Sequence, residues 1–228
     1  MARHSPHLYL PRPWDSAELA LGDEHSRHLH KVLRLGDGAG VSYTDGEGGR
    51  GEGVLSGGSV VRGAESMVPR PQPKISVAVA PPRKLDRVRF LVEKLAELGV
   101  DRIIWLETRY GEGRPPRAGK AESWAQSALE QSRGSWLVRL DGPMKPHDLP
   151  DLATLWVADR ESFPPPSVVK DGILLIGSEG GFAEGEIPAS AIRFSLGTRV
   201  LRVETAALAG AVILLDRSGR LAPPSEIP

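Results

Sequence analysis

Residues 174–182 read LLIGSEGGF: an apolar run that stops at glycine, a turn with Glu179 at its middle, and two further glycines. A short apolar run bounded by turn residues is the pattern of a strand buried on both faces. Ligands of open α/β sheets sit beyond the carboxyl ends of such strands, so this turn stands where a binding site belongs. Neither GxxxxGK followed by Ser or Thr nor GxGxxG occurs at the turn, and Glu179 repels a pyrophosphate. The turn suits a ligand with hydroxyls, an amine or a positive centre; the alternative is a plain turn after a strand.

The flanking sequence supplies the rest of such a sheet. KISVAVA (74–80), RIIWL (102–106), SWLVRL (135–140), ATLWVA (153–158), GILLIG (172–177) and IRFSLG (192–197) read as strands. KLDRVRFLVEKLAELG reads as a helix with Leu85, Val88, Leu91, Val92 and Leu95 on one face and Gly99 as its stop. Further helices are expected around 117–132 and 203–216. Strands alternating with helices predict a mostly parallel sheet covered on both faces. A second strand ends at glycine in SLGTRVLRVETAAL (195–208), where Arg199, Arg202 and Glu204 sit at a helix start. These charges either serve a ligand or cap and pair the helix.

Residues 1–67 differ in texture, and the proline-rich VPRPQP (68–73) reads as a linker between two domains. Asp23 is the expected N-cap of a helix with Leu29, Val32 and Leu33 inward, ended by Gly36. Segments broken by DGEGG (45–49) and SGG (56–58) predict a small antiparallel sheet or barrel. Arg27, Lys31 and Arg34 share the opposite helix face, which is either a solvated face or an RNA contact. His28 fits base stacking or helix packing equally.

The chain has 228 residues, with Lys plus Arg 29 and Asp plus Glu 29, so any polyanion contact comes from local patches. The lack of cysteine excludes disulfides, thiol nucleophiles and Cys-based metal sites. The opening MARHSPHLYLPRPW has no signal-peptide core, and TAALAGAVILL (205–215) is too short to span a bilayer, so a cytoplasmic protein is expected. His25, His28 and His30 lack a carboxylate pair that would complete a metal site, and no metal is expected.

Taken together, HLHKVLRLGDG (28–38), VEKLAELGVDRIIWLETR (92–109), ALEQS (128–132), LLIGSEGGFAEGEI (174–187) and LGTRVLRVETAAL (196–208) resemble one family nearly end to end. It is the SPOUT-class methyltransferases that modify N3 of a uridine in 16S ribosomal RNA. The resemblance implies an α/β fold: a PUA-like β-barrel over 1–69 that binds RNA, then a methyltransferase domain over 74–228 tied in a C-terminal trefoil knot. It implies S-adenosylmethionine as cofactor, the small ribosomal subunit as partner, and a homodimer through the knotted domain. Carried over by motif, the cofactor loops are Leu175, Ile176, Gly177, Gly180 and Gly181, with Glu179 fixing the loop, and Ser195, Leu196, Gly197 and Leu201. Arg202 is the expected catalytic residue, orienting the uracil and stabilising charge on its carbonyls. Glu204 is either a proton acceptor or a helix-start carboxylate. Two departures fall on RNA contacts: His7 stands where the family has arginine, and Arg133 in RGSWLV comes one place early. Another SPOUT RNA methyltransferase, acting on ribose 2′-OH or another base, and a non-catalytic ribosome-assembly protein are the competing readings.

Overall fold

The computed structural model describes residues 5–150 and 153–222. It forms two compact units, one of residues up to Arg70 together with Gln126–Leu137, the other of Pro71–Ala125 and Val138 onward.

The first unit is built on a five-stranded sheet of β1 (His7–Tyr9), β2 (Glu18–Ala20), β3 (Gly40–Thr44), β4 (Gly49–Ser56) and β5 (Ser59–Met67), in the order β1-β3-β4-β5-β2. β3, β4 and β5 form an antiparallel meander, as the glycine-rich breaks predict, and β1 runs parallel to β3. Gly57 and Gly58 have φ of 53° and 86°, so they form the two-residue hairpin loop that only left-handed residues allow. GEGGRG (46–51) matches the spacing GxGxxG, yet it joins two antiparallel strands and opens no helix, so it is not a dinucleotide site. The core gathers Leu8, Leu10, Trp14, Leu19, Leu29, Val41, Tyr43, Leu55 and Val60. Trp14 meets Tyr43 edge-on, with ring centroids 5.0 Å apart.

The first helix departs from its expectation. Gly22 is the N-cap of α1 (Asp23–Arg27), and Asp23 lies inside the first turn with no side-chain cap bond. From His28 to Val32 the backbone is π-helical, with the Leu33 N–H donating to the His28 carbonyl at 3.0 Å. The wider winding breaks the 3.6-residue period. Leu29 is therefore fully buried while Val32 is 64% exposed and Leu33 also faces outward. The run stops at Arg34, whose φ is 55°, before Gly36 is reached.

Residues 126–137 complete this unit. The Leu137 N–H donates to the Gly46 carbonyl and the Gly48 N–H to the Ser135 carbonyl, both at 2.8 Å. The expected strand 135–140 accordingly begins only at Arg139, because its first residues pair with the 46–48 turn. Glu130 Oε1 accepts the Tyr9 N–H and pairs with His25 Nε2, each at 2.7 Å. His7 Nε2 lies 2.9 Å from the Gly134 carbonyl and Nδ1 lies 2.8 Å from Ser42 Oγ. Since a carbonyl only accepts, Nε2 carries a proton.

The second unit is a parallel six-stranded sheet of β6 (Ile75–Val79), β7 (Arg102–Leu106), β8 (Arg139–Met144), β9 (Thr154–Ala158), β10 (Gly172–Ile176) and β11 (Ile192–Phe194), ordered β11-β9-β10-β6-β7-β8. All five residues of β10 are buried. α2 (Leu85–Glu97) buries Val88, Leu91, Val92 and Leu95, while Leu85 at its first turn is half-exposed; Gly99, at φ 76°, ends it. α3 (Ala118–Ser132) follows β7, and α4 (Val203–Arg217) packs on α2, β6 and β10. A β-carbon at Gly210 of α4 would lie 2.6 Å from Leu174 Cδ2 of β10, so glycine lets the helix approach the sheet. Asp101 accepts the Ile75 N–H at 2.8 Å and pairs with Arg220 beyond α4, joining the start of the sheet to the end of the chain's last helix. Among the described residues no helix is long and apolar enough to cross a membrane.

Two outcomes follow from the packing. Gly210→Val overfills the α4–β10 contact and lowers stability by about 1–3 kcal/mol in denaturant unfolding. His7 and His25 give opposite pH dependences. Burial, reinforced by the charges of Arg50 and Arg133 against the Gly134 hydrogen bond, holds His7 below its ordinary 6.5, so stability falls as pH drops below 6.5. The hydrogen bond to Glu130 outweighs burial and raises His25 above 6.5, so its contribution is full below 6.5 and is lost as pH rises through the raised value. The thermal midpoint of His25→Gln should trail the wild type most on the acid side of 6.5 and converge with it at alkaline pH.

Candidate cofactor site

A cavity of about 640 Å³ opens at the carboxyl ends of β9, β10 and β11. Its size is that of small-molecule sites in general. Three loops line it: Asp159, Arg160 and Glu161 after β9; Glu179–Gly185 and Ile187 after β10; and Leu196, Gly197 and Arg199–Leu201 after β11. The two glycine-ended segments singled out in the sequence therefore border the same space.

Each glycine of the GSEGG turn has a distinct cause. The Gly181 N–H donates to the Ser178 carbonyl at 2.9 Å, closing a tight turn, and its φ of 73° favours glycine. A β-carbon on Gly177 would stand 3.0 Å from the Gly181 carbonyl carbon, and one on Gly180 would stand 2.9 Å from Cβ of Tyr110. Glu186 then fastens the loop: Oε2 accepts the Ala183 N–H at 2.8 Å and Oε1 accepts the Arg109 N–H at 2.6 Å, on the loop after β7. Charge-assisted bonds to two backbone amides hold both loops in one geometry. On the other side, Asp159 pairs with Arg193 of β11 at 3.0 Å. Ser195 Oγ donates to the Arg160 carbonyl at 3.2 Å and accepts the Gly197 N–H at 3.1 Å. Gly197 itself has φ 110°.

The expected cofactor residues divide by role. Glu179, Gly180, Gly181, Leu196, Gly197 and Leu201 line the cavity. Leu175 and Ile176 are buried in β10, Gly177 packs against Gly181, and Ser195 supports Gly197. Among the described residues the lining holds carboxylates and guanidinium groups and no lysine. Arg202 is the exposed N-cap of α4, next to the lining residue Leu201. Glu204 is 8% exposed; Oε1 lies 3.5 Å from Arg87 Nε of α2, and Oε2 is buried without a hydrogen bond among the described residues.

In the first unit, Arg27, His28, Lys31 and Arg34 are all exposed, and none of the three cations there makes an ion pair among the described residues. The two departures from the family pattern meet at Ser42. His7 is 6% exposed on Ser42 and Gly134, and Arg133 donates to Ser42 Oγ at 3.1 Å and to the Ser5 carbonyl at 2.6 Å. Both side chains thus fasten β1 and β3 to the 126–137 segment. No group of three or more His, Asp and Glu is placed to hold a metal among the described residues.

Sequence reasoning passed over Asp159, Arg160 and Glu161, and also Glu186. The first three stand at the carboxyl end of a strand adjoining β10, so the positional rule that marked GSEGG applies to them equally. Glu186 carried no local signal, since both amides it binds depend on tertiary placement.

The RNA methyltransferase domain model matches residues 69–215. The chain belongs to this RNA methyltransferase family. Residues 69–215 span the whole sheet, both glycine loops and most of α4. A Porphyromonas gingivalis structure described as a probable rRNA-methyltransferase shares 28% identity, with TM-score 0.80 over 91% of this chain and 95% of that one. The ribosomal RNA small subunit methyltransferase E of Neisseria gonorrhoeae, bound to S-adenosylmethionine, shares 24% identity and the fold, with TM-score 0.78 over 94% of this chain and 98% of that one. A Legionella pneumophila structure with bound SAM shares 23% identity and the fold, with TM-score 0.81 over 95% and 99%. No curated protein matches the chain.

Glu186→Ala releases both amides it holds. Hydrogen exchange at Arg109 and Ala183 should accelerate by tenfold or more, in keeping with about 1.5–3 kcal/mol for a hydrogen bond to a charged group.

Proposed function

We propose that this protein is an S-adenosylmethionine-dependent methyltransferase that modifies N3 of a uridine in 16S ribosomal RNA. The observation that carries the reading is the meeting of the GSEGG and LGTRVLR loops around one lysine-free cavity at the end of a parallel sheet. The close backbone approach that Gly180, Gly181 and Gly197 permit suits the hydroxyls and adenine of the cofactor, and the carboxylates of Asp159, Glu161 and Glu179 suit its amine and positive centre. When bound, the cofactor supplies a methyl group activated by a sulfonium.

The chain's own residues then position the acceptor. Methyl transfer is an in-line displacement, so geometry accounts for much of the rate. Uracil N3 becomes nucleophilic as its proton passes to solvent water, and the charge spreads to O2 and O4. Arg202, exposed beside the cavity-lining Leu201, is suited to orient the uracil and stabilise that charge with parallel N–H donors. Glu204 is paired with Arg87 and buried between α2 and α4, which favours a role in fastening α4 over one as proton acceptor.

The same reading makes the first unit the RNA-binding, PUA-like part, with Arg27, Lys31 and Arg34 on backbone phosphates. It also makes the enzyme a cytoplasmic homodimer joined through a knotted C-terminal region.

Incubating the protein with labelled cofactor and small subunits from a strain lacking N3-methyluridine tests the proposal, with the product mapped by mass spectrometry. N3-methyluridine at one 16S position supports it. Another modified atom, or cofactor binding with no transfer to any ribosomal RNA, overturns it. Arg202→Ala should retain cofactor affinity by calorimetry and lose about 100-fold or more in the rate of methyl transfer.

A further inference from the structure

Two tight turns of the second unit face each other. One is Ser178–Gly181, the cavity turn. The other is Thr108–Gly111 on the loop after β7, closed by the Gly111 N–H donating to the Thr108 carbonyl at 3.1 Å. Its central residues are Arg109 and Tyr110, so the turn projects an arginine and an aromatic ring together. They touch through Tyr110 and Gly180: a β-carbon on Gly180 would come within 2.9 Å of Tyr110 Cβ, and Gly180 itself lines the cavity.

The presenting turn is held firmly. Glu186 takes the Arg109 N–H, Thr108 is buried beneath, and Gly113 lies so close against the Pro81 carbonyl that no side chain fits there. Arg83 and Glu112 close the base with an ion pair at 2.6 Å. Yet the ring that this scaffold carries is 53% exposed, and its hydroxyl makes no hydrogen bond among the described residues. The side chains of Arg109, Arg114 and Arg117 on the same loop are exposed and form no ion pair among the described residues. A rigid, exposed aromatic ring with unpaired guanidinium groups along its loop is the equipment of single-stranded nucleic-acid binding: every base has a face to stack, and every link has a phosphate.

We propose that Tyr110 is a platform on which a pyrimidine base of single-stranded RNA stacks at the edge of the cofactor cavity, with Arg109 taking an adjacent phosphate. The inference rests on the methyltransferase reading and adds to it the element that presents the acceptor base. An enzyme that modifies a base withdraws it from its stack, and a replacement stacking surface offsets that cost. Glycine at position 180 is what lets the platform lie against the cofactor loop; any side chain there would push the ring away.

The test uses the full-length protein and a single-stranded fragment of small-subunit ribosomal RNA carrying 5-iodouridine at the modified position. Photocrosslinking, with peptide mapping, reads contact without requiring turnover. The expected crosslink falls on Tyr110. In methylation assays Tyr110→Phe keeps the ring and should stay within about twofold of wild type, while Tyr110→Ala should lose about tenfold or more in kcat/KM for RNA. Calorimetry should show unchanged cofactor affinity in both. Wild-type kcat/KM in Tyr110→Ala, or crosslinks only at other residues, overturns the platform and leaves the methyltransferase reading standing. A wild-type protein that neither methylates nor crosslinks ribosomal RNA sinks both.

Discussion

β10 is the constraint on which the second unit depends. Its five residues are all buried, paired on one side to β6 and on the other to β9, and covered by α4 through the Gly210–Leu174 contact. A strand enclosed in this way has its backbone groups satisfied until its last residue. Where it ends at Ile176, the chain is released at one fixed point, and the turn that follows takes its direction from the sheet. The neighbouring loops are registered by the same pairing: Leu175 opposite Val157 places the loop after β9 alongside, and Phe194 opposite Ala158 does so for the loop after β11.

The cavity is the consequence of three strands ending together, and its chemistry follows from what the loops lack as much as what they hold. Phosphate-binding turns pair glycine amides with a lysine. Here the glycines are accounted for by a positive φ, a close approach to Gly181 and a close approach to Tyr110, and the charged lining is of both signs. A zwitterionic, hydroxylated ligand fits such a lining better than a polyanion. Glu186 makes the arrangement a two-loop device, because one carboxylate binds an amide on each side. In the first unit Glu130 does comparable work, its single oxygen holding a β1 amide and His25.

The legible part of the fold was the part with strong periodicity. Strands 75–79, 102–106 and 172–176, and helices 85–97 and 203–217, appear close to where the apolar pattern places them, since a buried sheet selects continuous apolar runs and a covering helix selects one face. The failures share a cause. Val32 and Leu33 turned outward because the backbone winds as a π-helix after Arg27, which no side-chain pattern announces. The strand expected at 135 was displaced because Ser135 and Leu137 bond to the turn around Gly46–Gly48. His7 and Arg133 share Ser42, a contact that their separation along the chain gives no sign of. At the site, the two glycine loops were visible as motifs, whereas Asp159, Glu161 and Glu186 were ordinary acids.

The sequence by itself determined the class of sheet, the two turns that matter, and the family, because these depend on residue types at short spacing. Tertiary structure alone decided that the two turns share one cavity, that Gly180 is glycine on account of Tyr110, and that Glu204 is tied to Arg87. The physical reason is that strand order, here β11-β9-β10-β6-β7-β8, brings together residues whose separation along the chain carries no trace of their proximity.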